Sequence, residues 1–90
     1  MNHELKILPE YYKAIVDKVK TFEVRKNDRN FKVGDQLILR EFIPDEKNDG
    51  KYTGSGCAAS INYILEGGQF GIEKGYCVMS ITVTATRKKY

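Results

Sequence analysis

Lys20-Thr21-Phe22-Glu23-Val24-Arg25-Lys26-Asn27-Asp28-Arg29 changes character at every step through its first half. Side chains of a β-strand point to opposite faces with period two. Read as a strand, the stretch puts Phe22 and Val24 on one face, suited to a core. Thr21, Glu23 and Arg25 fall on the other face, with Lys20 and Lys26 on either side of the row. A strand can fold without a hydroxyl, a carboxylate and a guanidinium in line, so the row is the first candidate for function.

Working outward, the chain reads as strand, helix, then strands. Leu5 and Ile7 fall on one side of a first strand, from His3 to Leu8, with Lys6 on the other. Pro9 fixes φ and suits the first turn of a helix. Tyr12, Ile15, Val16 and Val19 then recur at helical spacing, which predicts a short amphipathic helix from Pro9 to Val19. Glu10 near its start and Lys18 near its end agree with the helix dipole. The strand with the polar row comes next, followed by turn clusters at Asn27-Asp28-Arg29-Asn30 and Val33-Gly34-Asp35.

Gln36 to Ile43 reads as a strand with an apolar centre, Leu37-Ile38-Leu39, that suits an interior position. Residues 45–56 are polar and glycine-rich without periodicity, and read as a long mobile loop ended by Gly56. Cys57 to Leu65 follows as a strand with Ala59, Ile61, Tyr63 and Leu65 facing in. The last strand, Tyr76 to Thr86, turns Cys77, Met79, Ile81 and Val83 inward. Five strands and one early helix make an α+β domain. The most economical burial is a small curled sheet or barrel with the helix plugging one end.

Length and charge bound the function. Ninety residues suit one domain spanning residues 1–90, burying about 60% of its unfolded surface. No apolar run is long enough to span a membrane, and Met1-Asn2-His3-Glu4 does not read as a secretory signal. The expected location is cytoplasmic, with Cys57 and Cys77 as two free thiols. The net charge of +3 is unevenly spread. Between Lys18 and Lys32 six cations face Glu23 and Asp28, a local +4, and Arg87-Lys88-Lys89 adds +3, which leaves −4 elsewhere. Such a patch suits a phosphate-bearing partner, or it simply solvates strand ends.

His3-Glu4-Leu5-Lys6, the short helix, Lys20-x-x-Glu23-x-Arg25, Phe31-Lys32-Val33-Gly34-Asp35 and Gly75-Tyr76-Cys77-Val78 together resemble a small ASCH-like family of unknown function from bacteria and phages. ASCH domains belong to the PUA-like superfamily of β-barrels. The resemblance covers nearly the whole chain. It implies a barrel of about five strands with one short helix after the first strand. It also implies a cleft beside that helix for RNA or a nucleotide-like ligand. One position departs from the pattern: the family has Gly in the helix-to-strand turn where this chain has Lys18. Glycine suits the left-handed conformation that ends a helix.

Lys6, Lys20, Glu23 and Arg25 are the central binding candidates, and Lys26, Asn27 and Arg29 extend the run. Arg25 offers a planar fork of donors for a phosphate or base edge, Lys20 a point charge, and Glu23 an acceptor for an exocyclic amine. The alternative is a Glu23 ion pair on the surface, worth about 0–1 kcal/mol. Tyr52 could stack on a base or pack on the domain. Some ASCH proteins deacetylate an acetylated cytidine with a Lys, a Thr three residues on and a later Glu. By that resemblance Lys20, Thr21 and Glu23 are catalytic candidates for a nucleoside amidohydrolase, with Glu66 as a late carboxylate. Glu23 stands where the family's Thr would be, which favours binding over catalysis. A third reading is a protein-interaction module acting through the basic patch. His3 lies at a frayed N-terminus and is expected to be a hydrogen-bonding residue at a strand end rather than a base or a ligand. One His and two distant Cys make no zinc site, and neither a cofactor nor a metal is expected.

Overall fold

The computed structural model describes residues 1–88, so Lys89 of the basic tail lies outside them. Strand β1 (Asn2–Ile7) alternates as its sequence requires: His3, Leu5 and Ile7 are buried, while Asn2, Glu4 and Lys6 are exposed. Helix α1 (Pro9–Val16) starts with Pro9 in its first turn, where a missing N–H costs nothing, and buries Tyr12 and Ile15. It stops three residues short of the expected Val19. Lys18 adopts φ +63°, and its N–H donates to the Ile15 carbonyl while that of Val19 donates to Ala14. This pair of bonds is a Schellman cap.

Four strands follow: β2 (Phe22–Lys26), β3 (Gln36–Asp45), β4 (Asp49–Glu66) and β5 (Tyr76–Arg87). They join β1 in one mixed sheet of order β1-β3-β4-β5-β2. Only β1 and β3 run parallel; the remaining pairs are antiparallel. In a flat sheet the edge strands β1 and β2 would stand about 19 Å apart, four strand spacings. Yet Arg25 Nη2 lies 2.7 Å from the Lys6 carbonyl oxygen. The sheet is therefore rolled until its edges nearly meet, but it is not closed into a barrel: no backbone pairing joins β1 to β2. The interior is filled by Leu37, Leu39, Ala59, Ile61, Met79 and Ile15, all essentially inaccessible.

Four expectations are corrected. First, β2 is inverted. Phe22 and Val24 face solvent, at 44% and 50% exposure, whereas Glu23 is buried at 4%. The register pairs Glu23 with Met79 and Arg25 with Cys77, so the polar row lies on the face shared with two fully buried residues. Apolar alternation sets the face only where the buried side is apolar throughout, and here cations neutralise an inward carboxylate.

Second, residues 45–56 are not a loop. β3 and β4 continue into a hairpin whose register ends at Asp45↔Asp49. Its tip reads as polar because both faces there are largely exposed. Asp49 and Gly50 take φ +68° and +132°, and a Cβ on Gly50 would come within 2.3 Å of the Ile43 oxygen. Third, Tyr63 points outward because a register shift between Ile61 and Tyr63 inserts Asn62; Ile64 packs on the core instead. Fourth, the N-terminal end is not frayed at His3, which is buried; its hydrogen bond is the expected one, with Nε2 donating to Asp35 Oδ2 at 2.8 Å, and its ring meets Phe31 edge-on at 4.8 Å. No helix of the described residues is long and apolar enough to cross a membrane.

Candidate functional site

The gap between the sheet edges is bridged by side chains from β2 and the turn after it. Parallel pairing with β3 leaves every second carbonyl of β1 pointing away from the sheet. Two of these, on Glu4 and Lys6, accept from Arg29 Nη1 at 2.6 Å and Arg25 Nη2 at 2.7 Å. Arg25 also donates through Nε to Glu23 Oε2 at 2.8 Å. The other carboxylate oxygen of Glu23 accepts from Lys20 Nζ at 2.7 Å, and Lys20 also reaches the Phe22 carbonyl at 2.7 Å. The cap of α1 fixes the start of this chain of contacts, because the Lys20 N–H donates to Ala14.

Glu23 thus holds two cations that remain partly wet, with side-chain exposures of 18% for Lys20 and 25% for Arg25. Burying a lone carboxylate costs several kcal/mol; two short charge-assisted bonds offset that. The three residues carry a net +1. Above them opens a cleft of about 510 Å³ bounded by Lys6, Ile7 and Leu8, by Tyr11 of α1, and by Lys20 and β2. Tyr11 and Phe22 are both half-exposed. The Lys20 ammonium sits 5.6 Å from the Tyr11 ring centre and 4.7 Å from that of Phe22. The site therefore combines two accessible aromatic faces, cations with donors to spare and a buried acceptor.

The candidates divide cleanly. Lys6, Lys20, Glu23 and Arg25 line one cleft. Lys6 also lies 4.3 Å from the Phe42 ring and has only a long, exposed contact to Asp49 at 3.4 Å. Lys26 projects to the other face of β2, exposed opposite Tyr76. Asn27 is a turn residue: its Oδ1 accepts from the Phe31 N–H, and its own N–H donates to Gly75. Arg29 is spent on the β1 edge. Tyr52 belongs to β4, with Phe42 edge-on at 5.1 Å and Arg40 stacked at 3.7 Å, outside the residues that bound the cleft. Thr21 lines a smaller hollow with Lys18, Ile81 and Thr82. Glu66 is exposed at the end of β4, within 3.4 Å of Asn27 Nδ2.

Sequence reasoning passed over Tyr11 and Phe22. The doublet Tyr11-Tyr12 held a usable signal, since only one of two adjacent helix residues can face the core. The thiols are unsuited to nucleophilic chemistry. Both are free and buried. Burial, with a smaller contribution from the Glu23 charge, pushes Cys57 up to about 11; burial likewise raises Cys77. Among the described residues no group of three or more His, Cys, Asp and Glu is placed to hold a metal.

Residues 2–81 match the model of a family described as Domain of unknown function (DUF3850). The chain belongs to the DUF3850 family. The chain is also similar to an uncharacterized 12.9 kDa protein from the GpA 3' region of Escherichia phage P2. It is 34% identical over 64 residues, which cover 71% of this chain and 54% of that protein. The chain thus spans about half the length of its phage relative. The family match includes β1, α1 and β2, so every residue that bounds the cleft lies inside the DUF3850 region.

Proposed function

We propose that this DUF3850 domain binds one nucleotide unit of a single-stranded RNA, or a nucleotide-like ligand, in the cleft between β1, α1 and β2. The carrying observation is the buried Glu23 that holds Arg25 and Lys20, with the Lys20 ammonium set beside two half-exposed rings, Tyr11 and Phe22. Unpaired bases are held on aromatic and guanidinium faces, and each stacked base is worth about 1–3 kcal/mol. Lys6, Lys20 and Arg25 supply positive charge for the backbone. A rolled five-stranded sheet with a helix beside its open seam also supports a PUA-like, ASCH-like relationship.

Binding is favoured over hydrolysis on the same geometry. Two of the three Lys20 donors are directed at the Phe22 carbonyl and Glu23, and Thr21 lines a different hollow. The test is titration of a labelled five-nucleotide RNA at several salt concentrations. Affinity should fall with salt, and Tyr11→Ala, Phe22→Ala and Lys20→Ala should each weaken binding by roughly 5- to 100-fold. Unchanged affinity in all three variants refutes the assignment.

A further inference from the structure

Lys18 is a non-glycine residue held at φ +63°, a conformation that disfavours a Cβ. A glycine would make the same cap without that penalty. Backbone strain retained at a surface position directs attention to the side chain, and Lys18 lines a hollow of about 190 Å³ beside the cleft. The other walls are Ile15 at the end of α1, Lys20 and Thr21 entering β2, and Ile81, Thr82 and Val83 of β5. Ile15 and Ile81 are buried there.

The hollow is built rather than incidental. The Ile81 N–H donates to the Thr21 carbonyl at 3.0 Å and fixes one wall against the other. The Thr82 hydroxyl accepts from Asn62 Nδ2 at 2.8 Å, so its own proton can be donated elsewhere. The Ala14 and Ile15 carbonyls at the end of α1 are occupied by the Lys18, Val19 and Lys20 N–H groups. The nearest carboxylate in sequence, Asp17, is paired with Lys13 at 2.6 Å. Lys20 borders both the hollow and the aromatic cleft, so the two lie on either side of one residue.

We infer that the hollow between Lys18, Thr21 and Thr82 is a phosphate subsite, which takes a backbone phosphate adjacent to the base held by Tyr11 and Phe22. The placement of that base rests on the function proposed above. The subsite itself recognises a phosphoryl group, whether from a nucleotide or from an inorganic phosphate chain.

The experiment compares wild type with Lys18→Gly, Lys18→Asn and Lys18→Arg, using a five-nucleotide RNA and, separately, base-free inorganic polyphosphate. Glycine and asparagine both tolerate the left-handed turn, so both variants should stay folded, which thermal melting verifies. Each should bind both probes roughly two- to fivefold more weakly at low salt. The slope of log affinity against log salt for RNA should shrink by about 0.7, one lost phosphate contact. Lys18→Arg should bind like wild type.

Equal binding of both probes by wild type and Lys18→Gly overturns the subsite, and a wild type that binds neither probe overturns it too. RNA binding that ignores Lys18 leaves the base cleft standing and removes the subsite. Lys18-dependent binding of polyphosphate without RNA binding upholds the subsite and removes the nucleotide reading.

Discussion

The two sides of this rolled sheet are held by different forces. Across β3, β4 and β5 the strands are joined by long antiparallel ladders around an interior of Leu37, Leu39, Ala59, Ile61 and Met79. Across the seam between β1 and β2 there is no ladder. Arg25 and Arg29 donate side-chain hydrogen bonds to the Lys6 and Glu4 carbonyls, and Glu23 anchors Arg25 and Lys20. The first side is stabilised by burial of apolar area, which gives strength but offers no chemistry. The second is stabilised by charge. A seam closed by side chains can leave donors unused, and it is the place where the fold puts a cleft.

Leu39→Ala should have the largest effect. It removes a fully buried side chain and should cost about 3 kcal/mol. Glu23→Ala should come next, at about 2 kcal/mol, by leaving Lys20 and Arg25 facing each other without their shared anion. That figure sits below the 3–5 kcal/mol typical of a broken buried pair because both cations keep some exposure to water. Salt separates the two variants in chemical denaturation. The Glu23→Ala deficit should shrink as added salt screens the repulsion, whereas the Leu39→Ala deficit should not. If both respond alike, the seam is not held by charge.

Arg25→Ala should cost about 1–2 kcal/mol by removing two charge-assisted bonds. The effect should be local: amide exchange should rise in β1 and β2 and stay unchanged in β4. Uniform loss of protection would show that seam and ladder open as one unit.

The same division decides how much was legible in the sequence. On the ladder side, the inward positions Ala59, Ile61, Cys77 and Met79 follow from alternation, whereas Leu37-Ile38-Leu39 reads as an interior strand without showing which face is inward. There the readable pattern failed only where a register shift at Asn62 moved Tyr63 out, and where the hairpin arm beyond Phe42 had exposed faces to fill. On the seam side, the presence and extent of β2 were readable, and so was the grouping of Lys6, Lys20, Glu23 and Arg25. The face they occupy was not. Period two gives two faces without saying which is inside, and Phe22 and Val24 outweighed a carboxylate until its two cations were seen beside it. Arg29 was readable as a cation, but its use on a β1 carbonyl depends on a rolled sheet that no local pattern encodes.

Asp35 gives a smaller, pH-dependent test at the far end of β1. Its carboxylate accepts from His3 Nε2 and from the Lys32 N–H. The His3 bond holds it below its ordinary value of 3.8, against the opposing effect of desolvation. A carboxylate with a depressed folded-state pKa stabilises the fold fully above its unfolded-state value, and the contribution is lost as pH falls through the folded value. Melting temperature should therefore drop on acidification below about pH 4. Asp35→Asn should lower stability at neutral pH and flatten that acid slope. An unaltered slope in the variant would show that the acid sensitivity does not arise at Asp35.

The smallest effect runs in the opposite direction. Lys18→Gly keeps both Schellman bonds, from Lys18 N–H to Ile15 and from Val19 N–H to Ala14, because they use only backbone. It removes a left-handed Cβ, which costs about 1–2 kcal/mol, but it also frees the unfolded chain, which returns about 0.5–1 kcal/mol of that gain. The net stabilisation should be about 0.5–1 kcal/mol, and the melting temperature of a 90-residue chain should rise by about 2–8 °C. Lys18→Ala keeps the Cβ and removes the charge, so it should show no such rise. A rise in both variants would trace the gain to relief of charge repulsion with Lys20, not to the backbone. A rise in Lys18→Gly alone means that this chain retains a lysine where its own fold is more stable with glycine, and stability then gives no reason for the side chain to be there.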